Sequence, residues 1–136
     1  MKSRSESLIR LKKFQVDEKR RQVTQIEMMI ADFQRMAAEL DQQIEIEQTK
    51  TGISDVAHFA YSTFARAAIA RRDNLLASAA DMRDKLEAAQ DALAEAVEDL
   101  KKVELLDQRE TQREAAEMNR QEQAEYDEIA RQRFMR

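Results

Sequence analysis

Few side chains in this sequence could do chemistry, and their spacing argues against it. His58 is the only histidine among 136 residues, and there is no cysteine. Acid–base catalysis needs a second positioned group, and no nucleophile or metal-ligand spacing surrounds His58. It reads instead as a polar residue in the first turns of a second helix. Acidic residues cluster at Asp17-Glu18, at Asp41, Glu45 and Glu47, and at Glu98-Asp99. Carboxylates so placed can hold a metal or pass a proton. In a chain with 37% charged residues they serve far more often as solvated helix flanks, in i,i+4 pairs worth about 0.2–0.5 kcal/mol each. One glycine cannot build a phosphate-cradling loop. The expectation is a non-enzyme with no catalytic residue, cofactor or metal.

Two further groups invite a binding reading. Phe59, Tyr61 and Phe64 put three of the seven Phe and Tyr side chains within six residues. Successive positions on a helix point different ways, so the three cannot share one face. Phe64 fits the inward stripe, which leaves at least one of the others exposed as a binding anchor or packed under a turn. Arg71 falls on an apolar stripe, where it snorkels, stacks on a Phe ring or marks a local irregularity.

The elements that must position these residues are helices. The chain has one Gly and no Pro, so it can make about one sharp reversal. Sandwiches, barrels and doubly wound α/β folds need many such connections. Absence of cysteine removes disulfides and zinc–thiolate sites and points weakly to a reducing compartment. No apolar run approaches the ~20 residues of a membrane span, and Met1 to Lys13 has no signal-peptide core.

Ile9, Val16, Val23, Ile30, Ala37 and Ile44 repeat every seven residues, with Lys12, Lys19, Ile26, Phe33, Leu40 and Glu47 as the companion series. Both series lie on one helix face, the seam of a coiled coil. Lys12 and Lys19 can lay their methylene stems along it. The seam stops at Gln48. The stretch from Thr49 to Asp55 then carries the only glycine, Gly52, followed by Ser54 and Asp55 as helix caps. A second stripe runs through Leu75, Ala79, Met82, Leu86, Ala89, Leu93, Ala96, Leu100 and Val103. The same count continued from Asp107 to Glu128 finds one apolar residue in seven.

These patterns predict an all-α fold, two long helices in an antiparallel coiled-coil hairpin with a C-terminal helical overhang. The whole of 1–136 forms one domain, with helix 1 at about 4–48, a turn at 49–54 and helix 2 at about 55–134. Folding back around Gly52 sets Ile44 against Ala60, Leu40 against Phe64, Ile30 against Leu75, Val23 against Met82 and Val16 against Ala89. Helix 1 then runs out where the stripe of helix 2 ends. The overhang, from about residue 104, has good helix formers but little apolar face. It should be helical only in part until a partner orders it.

Charge is uneven. Met1 to Arg21 carries eight basic and three acidic residues, net +5, whereas Asp73 to Glu128 carries seventeen acidic and seven basic, net −10. Part of this is complementarity between the helices, and a basic N-terminal face can also steer an acidic partner. Nucleic acid is not an expected partner, because the whole chain is at −4 and the basic patch lacks interleaved aromatics.

Several segments together resemble a known family: the Leu8-Ile9-Arg10-Leu11 start, the aromatic cluster Phe59, Tyr61, Phe64 with Ile69, the Leu100-Lys101-Lys102-Val103-Glu104 stretch leading to Asp107-Gln108-Arg109, and the end at Gln123, Asp127-Glu128, Ala130 and Phe134. The chain resembles the FliJ family of the flagellar type III export apparatus, relatives of the YscO proteins of virulence secretion. The resemblance implies a non-enzymatic stalk like the central subunit of rotary ATPases. Its implied partners are the hexameric export ATPase, the export-gate membrane protein and export chaperones. It further implies a cytoplasmic monomer, peripherally held at the inner-membrane export apparatus. Carried over by position, gate contact falls on Phe59, Tyr61, Phe64 and Ile69. ATPase contact falls on Leu8, Leu11, Phe14, Asp127, Glu128 and Phe134. The competing reading is a coiled-coil scaffold or prefoldin-like chaperone subunit, which would self-associate through the same stripes.

Overall fold

The computed structural model describes residues 2–135, and among them there are two helices and no strand. α1 spans Lys2–Thr51 and α2 spans Thr63–Phe134. The chain falls into two compact units. One is Asp17–Ala94, which contains the connection between the helices; the other combines Met1–Val16 with Glu95–Arg136.

In the first unit the heptad pattern of α1 is realised as burial. Ile30, Ala37, Leu40 and Ile44 are buried, and Lys19, Val23, Ile26, Phe33 and Glu47 are half-buried. Leu40, Ile44 and Ala68 form the core cluster, with Ile69 and Leu75 packed against it. Ala65 is fully buried, and Ala68 and Ala79 nearly so. These small side chains admit the large ones of α1, which is how a two-helix interface excludes water with so few layers.

The connection differs from the expected turn at 49–54. α1 ends at Thr51, and Gly52 takes φ 75° and donates its N–H to the Gln48 carbonyl at 2.9 Å. A left-handed residue just past the last turn is the usual helix stop, and only glycine adopts it without a Cβ clash. Ser54 and Asp55 do not then start α2, which begins eight residues later than the expected Asp55. Its cap is Ser62, whose Oγ accepts the Ala65 N–H at 3.2 Å, the N-cap to N3 bond. Residues 52–62 form an ordered loop instead.

The longer loop resets the pairing. Leu40 meets Ala68 rather than Phe64, about one helical turn further along α2 than expected. The inward positions at the start of α2 become Tyr61, Ala65, Ala68 and Arg72. Phe64, expected in the seam, is 57% exposed, and Arg71 also points outward. Half-buried Arg72 takes the inward place, donating to Asp41 of α1 at 2.9 Å and to Asp73 at 3.1 Å. Its hydrogen bonds to Asp41 and then Asp73 raise its pKa above the usual arginine value.

In the second unit, Ile9, Lys12 and Val16 are buried or half-buried, as are Ala96, Leu100, Val103 and Asp107. From Gln108 to Met135 every residue is exposed. The seam therefore ends one step beyond the expected Val103. α2 is continuous to Phe134, so the stretch beyond the seam is the expected C-terminal helical overhang. Local pairs support it: Glu117 with Arg120 at 2.7 Å, Gln123 with Asp127 at 3.1 Å and Glu128 with Arg131 at 2.7 Å.

Candidate functional site

The loop at 52–62 is built by side chains bonding to nearby backbone. Asp55 Oδ1 accepts the Ala57 N–H at 3.0 Å, and the Asp55 carbonyl accepts the His58 N–H at 3.0 Å. His58 Nδ1 accepts the Ala60 N–H at 3.0 Å, and the His58 carbonyl accepts the Tyr61 N–H at 3.1 Å. Asp55 and His58 thus each close a turn of their own, which diverts Val56-Ala57-His58-Phe59-Ala60 from the helix that its composition allows.

The loop is tied to both helices. Gln48 Nε2 donates to the Tyr61 hydroxyl at 2.8 Å, and Ser62 Oγ donates to Glu47 Oε1 at 3.0 Å. Arg66 donates to the Val56 carbonyl at 3.1 Å, and its guanidinium lies 5.5 Å from the Tyr61 ring centroid, within cation–π range.

The four residues expected at the gate contact therefore divide. Phe59 is 96% exposed and stacks on His58 with ring centroids 4.7 Å apart. Phe64 is also exposed. Tyr61 is 5% exposed and belongs to the interhelical packing, and Ile69 is half-buried against the Leu40 cluster. The requirement that at least one aromatic face solvent is met by Phe59, while the inward role expected of Phe64 falls to Tyr61.

In the unit of Met1–Val16 and Glu95–Arg136, the six residues expected at the ATPase contact are all exposed: Leu8, Leu11, Phe14, Asp127, Glu128 and Phe134. Phe134 is 91% exposed. Continuing the seam count missed Met118, Tyr126 and Ile129, which are exposed as well. With Ala115 and Glu122 they follow three- and four-residue steps and so share a helix face. That stripe is offset by about one residue from the continued count, and a fixed seven-residue template passes over it. Testing each alternative phase would have found it.

No arrangement for chemistry is assembled among the described residues. No three His, Cys, Asp or Glu side chains converge as a metal site. A groove of 230 Å³ lined by Met36, Arg71, Asn74, Leu75 and Ser78 holds no paired acid and base. No helix is long and apolar enough to cross a membrane.

Within Asp17–Ala94, two helices joined by a capped loop and packed through the Leu40, Ile44 and Ala68 cluster define the class, an α-helical hairpin. Over residues 1–136 the chain matches the family described as Flagellar FliJ protein, and it belongs to that family. It is accordingly a flagellar export protein. No curated protein and no solved structure matches it.

Proposed function

We propose that the chain is the non-enzymatic stalk component that joins the flagellar export ATPase ring to the membrane export gate and escorts export chaperones. The observation that carries this reading is the stretch from Gln108 to Phe134, helical yet exposed throughout, which offers Met118, Tyr126, Ile129 and Phe134 to solvent. Exposed apolar residues spaced along a helix suit insertion into a larger assembly. The export ATPase hexamer is the proposed occupant, contacting this stretch together with Leu8, Leu11, Phe14, Asp127 and Glu128. The gate takes the loop surface, with Phe59 and Phe64 as contacts and Tyr61 and Ile69 holding them in place. The working location is the cytoplasmic face of the inner-membrane export apparatus, with the free chain a monomer.

Co-purification with the export ATPase tests the first contact. Combined Tyr126→Ala, Ile129→Ala and Phe134→Ala changes should abolish capture while helicity by circular dichroism stays unchanged. Undiminished capture by the triple variant would remove the ATPase from this surface. Light scattering separates the scaffold alternative, which requires a stable oligomer of the purified chain.

A further inference from the structure

We propose that Asp41 of α1 selects which face of α2 turns outward, by holding Arg72 inward and so keeping Phe64 in solvent. The stretch from Tyr61 to Leu75 offers two inward faces at steps of three and four residues. One is Tyr61, Phe64, Ala68, Arg71 and Leu75; the other is Tyr61, Ala65, Ala68, Arg72 and Leu75. They differ only in exchanging Phe64 for Ala65 and Arg71 for Arg72. Apolar content favours the first, which would bury a phenylalanine in place of an alanine. The molecule adopts the second: Ala65 has no exposed surface, whereas Phe64 is 57% exposed.

The asymmetry that overrides apolar content lies on α1. Asp41 and Gln43 are two residues apart, about 200° around the helix, and so flank Leu40 and Ile44 on opposite sides. Arg72 reaches the Asp41 side, donating to Oδ1 at 2.9 Å. Arg71 instead borders a groove with Met36, Glu39 and Gln43, and Glu39 is engaged by Arg35 at 3.5 Å. Asp73, the second partner of Arg72 at 3.1 Å, sits on α2 itself, turns with that helix and cannot choose between its faces. Asp41 can, because it belongs to the other helix. A polar residue in an apolar seam acts in this way, fixing alignment rather than adding stability.

Asp41 is thus a positioning residue that acts through Arg72 on the placement of Phe64. Phe64 and Arg71, seven residues apart, stand together on the outward surface of α2. With the other face inward, that surface would offer alanine in place of phenylalanine. The proposal stands whichever partner Phe64 meets.

The test moves the carboxylate across α1. Asp41→Asn with Gln43→Glu keeps side-chain shape and net charge, and transfers the acid from the Arg72 side to the Arg71 side. Phe64→Cys and Ala65→Cys, introduced one at a time into a chain without cysteine, report each face by the rate of maleimide alkylation. With Asp41 in place the thiol at position 64 reacts the faster. In the relocated variant it should slow while the thiol at 65 quickens. Each exposed ion pair shifts such a balance about twofold, so losing one and gaining the other should lower the ratio of rates about fivefold. Asp41→Glu retains the acid on its side and should retain the ratio. In the relocated variant without added cysteine, nuclear Overhauser contacts between the Phe64 ring and the Leu40 methyls should strengthen. An unchanged ratio, or quickening at 65 without slowing at 64, overturns the proposal. So does an equal fall in Asp41→Glu.

Discussion

The Tyr61 hydroxyl accepts a hydrogen bond from Gln48 Nε2 at 2.8 Å, joining the end of α1 to the residue that enters α2. Thirteen positions separate the two residues, and the loop between them carries the most exposed phenylalanine of the chain. Tyr61 has its ring inside the interface and its polar end satisfied, as a buried tyrosine requires. It closes the hairpin at the point where α1 ends.

Tyr61 should therefore contribute through its ring more than through its hydroxyl. Tyr61→Phe removes one hydrogen bond and should cost about 1 kcal/mol. Tyr61→Ala should cost about 3 kcal/mol, as aromatic truncations in cores do. Phe59→Ala, at a solvated ring, should leave stability within about 0.5 kcal/mol of wild type. Urea denaturation followed by circular dichroism measures all three.

The register can be checked by placing a charge at two neighbouring positions. Ala65→Asp buries an unpaired carboxylate and should cost at least ~3 kcal/mol. Phe64→Asp places its charge in water and should leave the midpoint nearly unchanged. The order reverses in the pairing that sets Phe64 opposite Leu40.

The cysteine-free background allows a covalent version of that experiment. Leu40→Cys combined with Ala68→Cys should oxidise readily to an intramolecular disulfide, because the two residues share the core cluster. Leu40→Cys with Phe64→Cys should not. Non-reducing electrophoresis after mild oxidation reads the difference.

Arg72 and Asp41 form an ion pair that links the two helices near the core cluster. Asp41 is exposed, so a double-mutant cycle of Arg72→Ala and Asp41→Asn should give a coupling of about 0.5 kcal/mol, smaller still in high salt. An arginine pKa raised by its partners contributes stability below its unfolded value and loses it only as pH rises through the folded one. Stability from this pair should consequently not vary through the neutral range.

A chain ending at Asp107 should separate stability from partner binding. Among the described residues it keeps every buried and half-buried seam position, and 108–135, which it removes, are all exposed. Its melting temperature should stay within about 3 °C of the full chain, while capture of the export ATPase is lost. A large fall in melting temperature would mean that the bare stretch supports the seam.

Composition alone determined that this protein is helical, since one glycine and no proline leave no means of making many turns. The seven-residue repeat determined which face of α1 is inward, and every position from Ile9 to Glu47 on that face is covered. Loss of the stripe after Val103 located the end of the seam to within one step. These properties follow from local periodicity, which burial then obeys. Tertiary structure decided the course of residues 52–62 and everything that depends on it. Val56 to Ala60 reads as helix by propensity, but the hydrogen bonds that Asp55, His58 and Ser62 side chains accept from particular backbone amides hold it as a loop. The length of that loop moves α2 along α1, turning Phe64 and Arg71 outward and Tyr61 and Arg72 inward. A hydrophobic pattern cannot settle such a choice, because Ala65, Ala67 and Ala68 tolerate either side of the helix. Contacts across the interface select which of them is buried.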